Sequence, residues 1–160
     1  MIPDSSVSID DSRWPLRMVR FVGTATLQQY EDYLAETSAC LRRRERYVSI
    51  IDLSRGGMPP TQQRQRQVAW LQEHEPLVRE VLLGVAFVIT SPLVRLAVST
   101  ILHFKPVPVP YIMTSREQEA AAWASARIEE QGLHHAAECV RRHFGLPASG
   151  YAGRNKARSA

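Results

Sequence analysis

The sequence predicts one α/β domain with a mainly parallel sheet of about five strands and flanking helices. Two observations carry this prediction. Short runs rich in β-branched and aromatic residues recur along the chain, and segments with helical spacing of apolar residues separate most of them. Strands that alternate with helices pair mainly in parallel through right-handed crossovers. A chain of 160 residues, 44% hydrophobic and 22% charged, is long enough to form one such core.

The first elements are a predicted strand hairpin and a helix. Residues 16–22 form a strand, and a weaker strand through Val7 and Ile9 pairs with it as a hairpin. Thr24 or Thr26 then caps a helix. The predicted apolar stripe of this helix, with steps near 3.6 residues, is Leu27, Tyr30, Leu34 and Leu41.

The next strand, residues 47–51, leads into the most informative segment of the chain. It is followed by Asp52, Ser54 and a loop rich in glycine and proline. Loops at the carboxyl ends of parallel strands are where such folds place function. A second helix is predicted over residues 62–75, and Pro76 is expected to end it. Its apolar face is thin and consists of Val68, Trp70 and Leu71.

The following elements continue the alternation. Residues 81–90 form a continuous apolar run, as expected for a central strand covered on both faces. Ser91 and Pro92 are a helix start, a cap followed by proline at the first position. The predicted apolar side of this helix is Leu93, Leu96, Ala97, Ile101 and Phe104. A proline-rich stretch then leads into an edge strand that ends at Met113.

Two helices are predicted to complete the domain. Ser115 and Gln118 have the spacing of a capping box for a helix over residues 116–130, and a last amphipathic helix follows. The order is therefore β-β-α-β-α-β-α-β-α with one appended helix. We expect the domain to span residues 1–147 and residues 148–160 to form a disordered basic tail.

Composition favours a cytoplasmic protein that does not bind nucleic acid. The formal net charge is +4, but no aromatic residues interleave with a basic stripe as they do in nucleic-acid-binding surfaces. Cys40 and Cys139 lie far apart without a CxxC pairing, which fits reduced thiols packed in a core. The N-terminal residues show no signal-peptide pattern, and the longest apolar run is too short to span a bilayer.

One set of side chains resembles a metal site. His135, Cys139 and His143 share one face of the last predicted helix, and their donors suit zinc or copper. Positions i and i+8 lie about 12 Å apart along a helix axis, which is too far for one ion. The sequence also has no Gly-rich phosphate loop and no paired zinc motif. We therefore expect neither a metal nor a cofactor.

The element order and several short motifs resemble the STAS superfamily, and within it the SpoIIAA-like proteins, whose fold is related to that of anti-anti-sigma factors. The residues that carry the resemblance are Asp52-Leu-Ser54 after the third strand, Gly84-Val-Ala-Phe-Val88, Ser91, and Glu119-Ala-Ala-Ala-Trp123. It covers residues 7–128. The resemblance implies a STAS-like fold and a non-enzymatic cytoplasmic module that binds protein partners in a signalling or regulatory pathway.

The resemblance also indicates where partners would bind. We place the partner-binding surface on the segment that contains Asp52, Ser54, Arg55, Thr61 and Arg64. Some members of the family switch partners when a serine or threonine at the start of the second helix is phosphorylated. Those members carry an Asp-Ser-Ser-Gly-like run there, which this chain replaces with Gly-Met-Pro-Pro before Thr61. Phosphate on Thr61 would be favoured by the helix N-terminus and can pair with Arg64, whereas the alternative for Thr61 is an unregulated helix cap.

Two further functions stay open beside the interaction module. The likeness of SpoIIAA-like folds to CRAL-TRIO lipid carriers implies a pocket between the sheet and the helix after Ser91 that holds a lipid or small apolar ligand. A hydrolase built on Ser54 is the weaker alternative, because the local sequence offers no base within hydrogen-bond reach. Aspartate and serine at a strand end more often bind the backbone of the following loop. A homodimer also stays open.

Overall fold

The computed structural model describes residues 5–148, so most of the predicted basic tail lies outside the described residues. Within them the chain forms five strands and five helices. The strands are β1 (Ser6–Arg13), β2 (Leu16–Gly23), β3 (Tyr47–Gly56), β4 (Leu82–Val88) and β5 (Tyr111–Thr114). The helices are α1 (Leu27–Arg42), α2 (Thr61–Val81), α3 (Pro92–Phe104), α4 (Glu117–Glu130) and α5 (His134–His143).

The five strands form one sheet in the order β1-β2-β3-β4-β5. β1 is antiparallel to β2, as the hairpin prediction required, and the other neighbours are parallel. The three crossovers advance across the sheet in one direction, so right-handed connections place α1, α2 and α3 on the same face. α4 and α5 cover the other face. The predicted element order and the mainly parallel five-stranded sheet are confirmed.

Each face of the sheet has its own core. Small alanines on α4 let this helix approach the sheet closely on the first face. The buried residues there are Leu16, Met18, Val48, Ile50, Ala86, Val88, Ala120, Ala121, Ala124, Ile128, Ala137 and Val140. Aromatic and aliphatic side chains of α1 and α2 fill the second face. Its main buried residues are Val19, Tyr30, Tyr33, Leu34, Leu41, Tyr47, Trp70, Leu71, Val78 and Val81. α3 extends this second core over β4.

α1 begins as the sequence indicated, with Thr26 as its N-cap. Thr26 Oγ1 accepts a hydrogen bond from the backbone N–H of Gln29 at 3.1 Å, and Gln29 Oε1 accepts one from the N–H of Thr26 at 2.9 Å. The buried stripe includes three of the four predicted residues. The prediction for Leu27 is wrong: this first residue of the helix is 55% exposed.

α2 is longer than predicted, because Pro76 does not end it. The helix continues through Pro76 to Val81, and β4 therefore begins only at Leu82. Leu71, Val78 and Val81 are buried against the sheet on both sides of the proline. This packing offsets the backbone hydrogen bond that proline cannot donate.

α3 is rotated about its axis relative to the prediction: Ala97 is buried as predicted and Ile101 is half-buried, but the other three predicted residues are exposed. Ser91 caps it as expected, with Oγ accepting from the N–H of Val94 at 3.4 Å. Its buried residues, however, are Val94, Ala97, Val98 and Leu102. Leu93, Leu96 and Phe104 are 64%, 63% and 73% exposed. The helix is apolar on nearly all sides, so spacing alone did not decide which side would face the sheet.

The start of α4 also differs from the prediction. The helix begins at Glu117, and its N-cap residue Arg116 makes no side-chain capping bond, so the predicted capping box from Ser115 does not form. Thr114 takes this role from the end of β5. Its Oγ1 accepts from the N–H of Arg116 at 3.2 Å and donates to Glu119 Oε2 at 2.6 Å. The sequence pattern therefore pointed to Ser115, one residue after Thr114, whose hydroxyl stabilises the start of α4.

Candidate functional site

β3 continues well beyond the predicted end at residue 51. Its pairing with β2 persists until Gly56 lies opposite Gly23, and the N–H of Gly57 donates to the Gly23 carbonyl at 3.0 Å. Asp52 and Ser54 therefore belong to the strand and not to the loop. The connection to α2 is reduced to residues 57–60.

Asp52 and Ser54 form a closed pair inside the strand. Asp52 is 7% exposed, and its Oδ1 accepts from the N–H of Ser54 at 2.9 Å and from Ser54 Oγ at 2.6 Å. Arg20 Nη1 stands 3.8 Å from Asp52 Oδ2, and Thr90 Oγ1 donates to the Ser54 carbonyl at 3.1 Å. The expectation that this corner is exposed is wrong for Asp52, because its carboxylate is turned into the structure to bind Ser54.

This geometry bears on the idea of a Ser54 nucleophile. The Ser54 hydroxyl donates to a carboxylate, and no histidine in residues 5–148 hydrogen-bonds to it. A carboxylate is a weak base for activating an alcohol. The arrangement stabilises the end of β3, which is the structural interpretation of the motif.

Thr61 and Arg64 form a second pair, at the start of α2. Thr61 is exposed, and Arg64 Nη2 donates a hydrogen bond to its Oγ1 at 2.9 Å. The N-cap of α2 is Pro60, which makes no side-chain capping bond, so Thr61 is the first helical residue and not the cap. The Thr61 hydroxyl therefore lies at the positive end of the helix dipole with an arginine beside it.

The edge of the sheet next to Thr61 carries exposed apolar side chains, two of which, Leu27 and Leu93, the sequence had assigned to buried helix faces. Leu27 begins α1, Met58 lies in the loop after β3, and Leu93 begins α3, and all three are exposed. Parallel strands β2, β3 and β4 end at this edge, which brings the starts of the three following helices to it. We call the surface formed by Leu27, Arg55, Met58, Thr61, Arg64 and Leu93 the carboxyl rim. Each apolar member lies two to five residues after the end of a strand, and that position was the signal in the sequence.

A cavity of about 160 Å³ lies between the sheet and helices α1, α2 and α3. The predicted pocket beside α3 is thus present, but it extends further, beneath α1 and α2. Most of its wall is apolar, and the lining from α3 and β4 consists of Leu82, Val85, Phe87, Val94, Val98, Ile101 and Leu102. The polar lining includes Arg17, Tyr47 and Ser49 of β2 and β3, Tyr33 and Thr37 of α1, and Thr24, Gln63 and Gln67. Sequence reasoning missed Arg17 as a cavity residue.

The histidine and cysteine residues of α5 are only partly brought together. Cys139 Sγ lies 3.6 Å from His135 Nε2, whereas His143 contacts the ring of Phe144. Across residues 5–148 no group of three or more His, Cys, Asp or Glu side chains is arranged to hold a metal ion. In the same part of the chain, no helix combines the length and the apolar character needed to cross a bilayer.

Solved structures share this architecture. A protein of the DUF3478 family with a SpoIIAA-like fold, from Shewanella loihica PV-4, matches with a TM-score of 0.56 at 16% sequence identity. The match covers 75% of this chain and 93% of that one. The fold is SpoIIAA-like. An anti-sigma factor antagonist from Mycobacterium paratuberculosis matches with a TM-score of 0.53 at 16% identity, over 76% of this chain and 96% of that one.

These matches confirm, at the level of the fold, the resemblance to STAS and SpoIIAA-like proteins that the motifs indicated. No protein-family profile matches the sequence, and no curated protein does. At 16% identity a shared fold carries no residue-level assignment. The site residues must therefore be argued from this chain's own geometry.

Proposed function

We propose that this protein is a non-enzymatic regulatory module that binds a protein partner through its carboxyl rim. The observation that carries the proposal is the pair at the start of α2, where Arg64 hydrogen-bonds to the exposed hydroxyl of Thr61. The matched anti-sigma factor antagonist supports a regulatory role, because its fold is the same. The free thiols of Cys40 and Cys139 support a reducing, cytoplasmic compartment.

The composition of the rim suits a regulated protein interface. Exposed Leu27, Met58 and Leu93 supply apolar contacts, and Arg55 and Arg64 supply charge at the border. Asp52 and Ser54 lie beneath this surface and stabilise the end of β3. We do not propose that they make the first contact with the partner. The interface is therefore centred on the loop after β3 and on the first turn of α2.

A phosphate on Thr61 would change this surface in a defined way. It adds about 1.5 to 2 negative charges, which the N-terminus of α2 and the Arg64 guanidinium both favour. Arg64 already reaches the Thr61 hydroxyl, so pairing needs little rearrangement. The phosphate would cancel most of the positive charge that Arg55 and Arg64 give the rim, and partners that need the unmodified, cationic rim would be released.

Affinity capture from native lysate tests the switch. Wild-type protein is compared with Thr61→Glu, and Thr100→Glu serves as the matched control because Thr100 is an exposed threonine on α3, outside the rim. We expect Thr61→Glu to change the captured partners and Thr100→Glu to leave them unchanged. Identical partners for all three proteins would contradict a phosphate-driven switch.

A second comparison tests the location of the interface independently of phosphorylation. Met58→Asp places a charge on the rim, whereas Leu133→Asp places one on a similarly exposed apolar residue before α5. Leu133 lies near the opposite edge of the sheet, where neighbouring Gln131 accepts a hydrogen bond from Arg46 before β3. We expect the partner to be lost with Met58→Asp and kept with Leu133→Asp. Loss with neither variant would remove the rim from the proposal.

A further inference from the structure

Arg17 is a buried arginine that the interaction surface does not use. It lies on β2 and is 3% exposed, on the face of the sheet that packs against α1 and α2. Arginine is almost never fully buried unless it is paired, because burial removes water from a permanent charge. The hydrogen bonds and ion pairs that Arg17 makes therefore indicate which ligand could bind beside it.

The protein satisfies this guanidinium only in part. Nη1 donates to Thr37 Oγ1 at 3.2 Å, but Nε reaches no hydrogen-bond acceptor among the described residues. The nearest carboxylate oxygen, Asp11 Oδ1, is 3.6 Å from Nε, beyond hydrogen-bond distance. The Asp11 side chain is also 43% exposed, so water competes for its charge. Tyr47 makes a further side-chain hydrogen bond with Arg17, so Nε is the donor left without an acceptor within residues 5–148.

The ionisable groups around Arg17 do not supply the missing negative charge. Burial raises the pKa of Tyr33 and of Tyr47, and Arg17 only partly opposes this effect. Burial likewise raises the pKa of the Cys40 thiol. All three groups are therefore neutral at physiological pH. The tyrosine hydroxyls remain as hydrogen-bond donors that can assist an anion placed beside the guanidinium.

Arg17 also lines the cavity of about 160 Å³ described above. The lining runs along β2 from Arg17 to Gly23 and reaches exposed Gly57 at the carboxyl rim. Between these ends the wall is mainly apolar and includes Val19 and Phe21. An apolar cavity of about 150 Å³ is large enough to bind benzene, so this one has room for a small, slender apolar body.

We propose that this cavity binds a monocarboxylate with a short apolar chain. The carboxylate accepts hydrogen bonds from Arg17, whose planar fork matches two carboxylate oxygens, and the chain lies along β2. A single negative charge is favoured over two, because Asp11 Oδ1 already lies 3.6 Å from Nε of the guanidinium. The site is independent of the proposed partner surface and would exist even if that surface bound nothing.

Calorimetry with octanoate and octan-1-ol on the full wild-type chain tests the proposal. The two molecules have the same chain and differ in the charged group. We expect octanoate to bind and the alcohol to bind about tenfold more weakly or worse, because hydrogen bonds to charged groups are the stronger ones. We also expect the Arg17 Nε–H signal in NMR spectra to shift with octanoate. Equal affinities, no octanoate binding, or an unmoved Nε–H signal would overturn the proposal.

Two arginine variants test whether Arg17 causes the preference for octanoate over the alcohol. Arg17→Met removes the guanidinium but keeps an apolar side chain, and Arg20→Met is the matched control on the same strand, since the Arg20 side chain is 48% exposed. We expect Arg17→Met to lose the preference for octanoate over the alcohol and Arg20→Met to retain it. A preserved preference in folded Arg17→Met would overturn the assignment. If Arg17→Met fails to fold, the wild-type comparison and the Nε–H signal decide.

Discussion

Gly84 of β4 lies against the indole ring of Trp123 on α4. A Cβ atom added at Gly84 would stand 2.5 Å from Trp123 Cη2 and 3.1 Å from the Pro110 carbonyl oxygen. The first distance is much shorter than van der Waals contact. The second leaves the added carbon little room to move away from the ring. This contact joins two of the motifs that suggested the fold, the glycine that opens one strand motif and the tryptophan that ends a helix motif.

We expect Gly84→Ala to lower the free energy of unfolding by about 1–3 kcal/mol, because the added methyl group overpacks the contact between β4 and α4. Urea unfolding followed by circular dichroism measures the change. In a Trp123→Leu background the same substitution should be less destabilising, since the ring that clashes is gone. A Gly84→Ala variant as stable as wild type, or more stable, would show that α4 moves aside without a loss of stability.

Two leucines on α3 test which side of that helix faces the sheet. Leu102 is buried, whereas Leu96 is exposed to solvent. We expect Leu102→Ala to cost about 2–5 kcal/mol of stability and Leu96→Ala less than about 0.5 kcal/mol. Chemical denaturation of both variants gives the comparison directly. Equal losses would mean that both sides of α3 are covered in solution.

α3 also shows where prediction from sequence stopped. The element order and the mainly parallel pairing followed from the alternation of apolar runs with helical segments, because strands joined through helices pair mainly in parallel by right-handed crossovers. The orientation of α3 did not, because either side of an apolar helix satisfies its own periodicity. The buried side packs against Val85 and Phe87 of β4, a tertiary contact that the spacing within the helix does not encode.

The same limit applies to the candidate sites. The Asp52 and Ser54 motif was predicted to follow the strand, but β3 continues through it, because β2 pairs with β3 as far as Gly56. Arg17 and Arg20 look alike in sequence, both cations within one strand. Their side chains project to opposite faces because they are three residues apart, and only the packing of α1 makes one of these positions buried. The cavity was therefore predictable as a pocket, but its charged end was not.

The two cysteines should differ in reactivity. Cys40 is buried, and burial raises the pKa of its thiol, so the reactive thiolate is scarce at neutral and mildly alkaline pH. Cys139 is partly exposed on α5. We expect iodoacetamide at pH 8 to modify Cys139 first and Cys40 only after unfolding in urea, as read by peptide mass spectrometry. Rapid modification of Cys40 in the native protein would mean that α1 opens readily.

The ion pair between Glu75 of α2 and Lys105 after α3 predicts an acid-dependent loss of stability. The Lys105 ammonium hydrogen-bonds to Glu75 and holds the pKa of that carboxyl below its ordinary value of 4.5, with Arg79 contributing further. A group whose pKa is lowered by folding stabilises the native state at pH values above its unfolded pKa. That contribution disappears as the pH falls through the lowered pKa, when the carboxyl becomes protonated in both states.

We therefore expect Glu75→Gln to be less stable than wild type at pH 7 and to approach it in urea midpoint near pH 3. Glu36→Gln, at an exposed glutamate for which the described part of the chain offers no ion pair, should show no such convergence. A wild-type advantage over Glu75→Gln that is unchanged from pH 7 to pH 3 would show that Glu75 contributes by packing and not by charge.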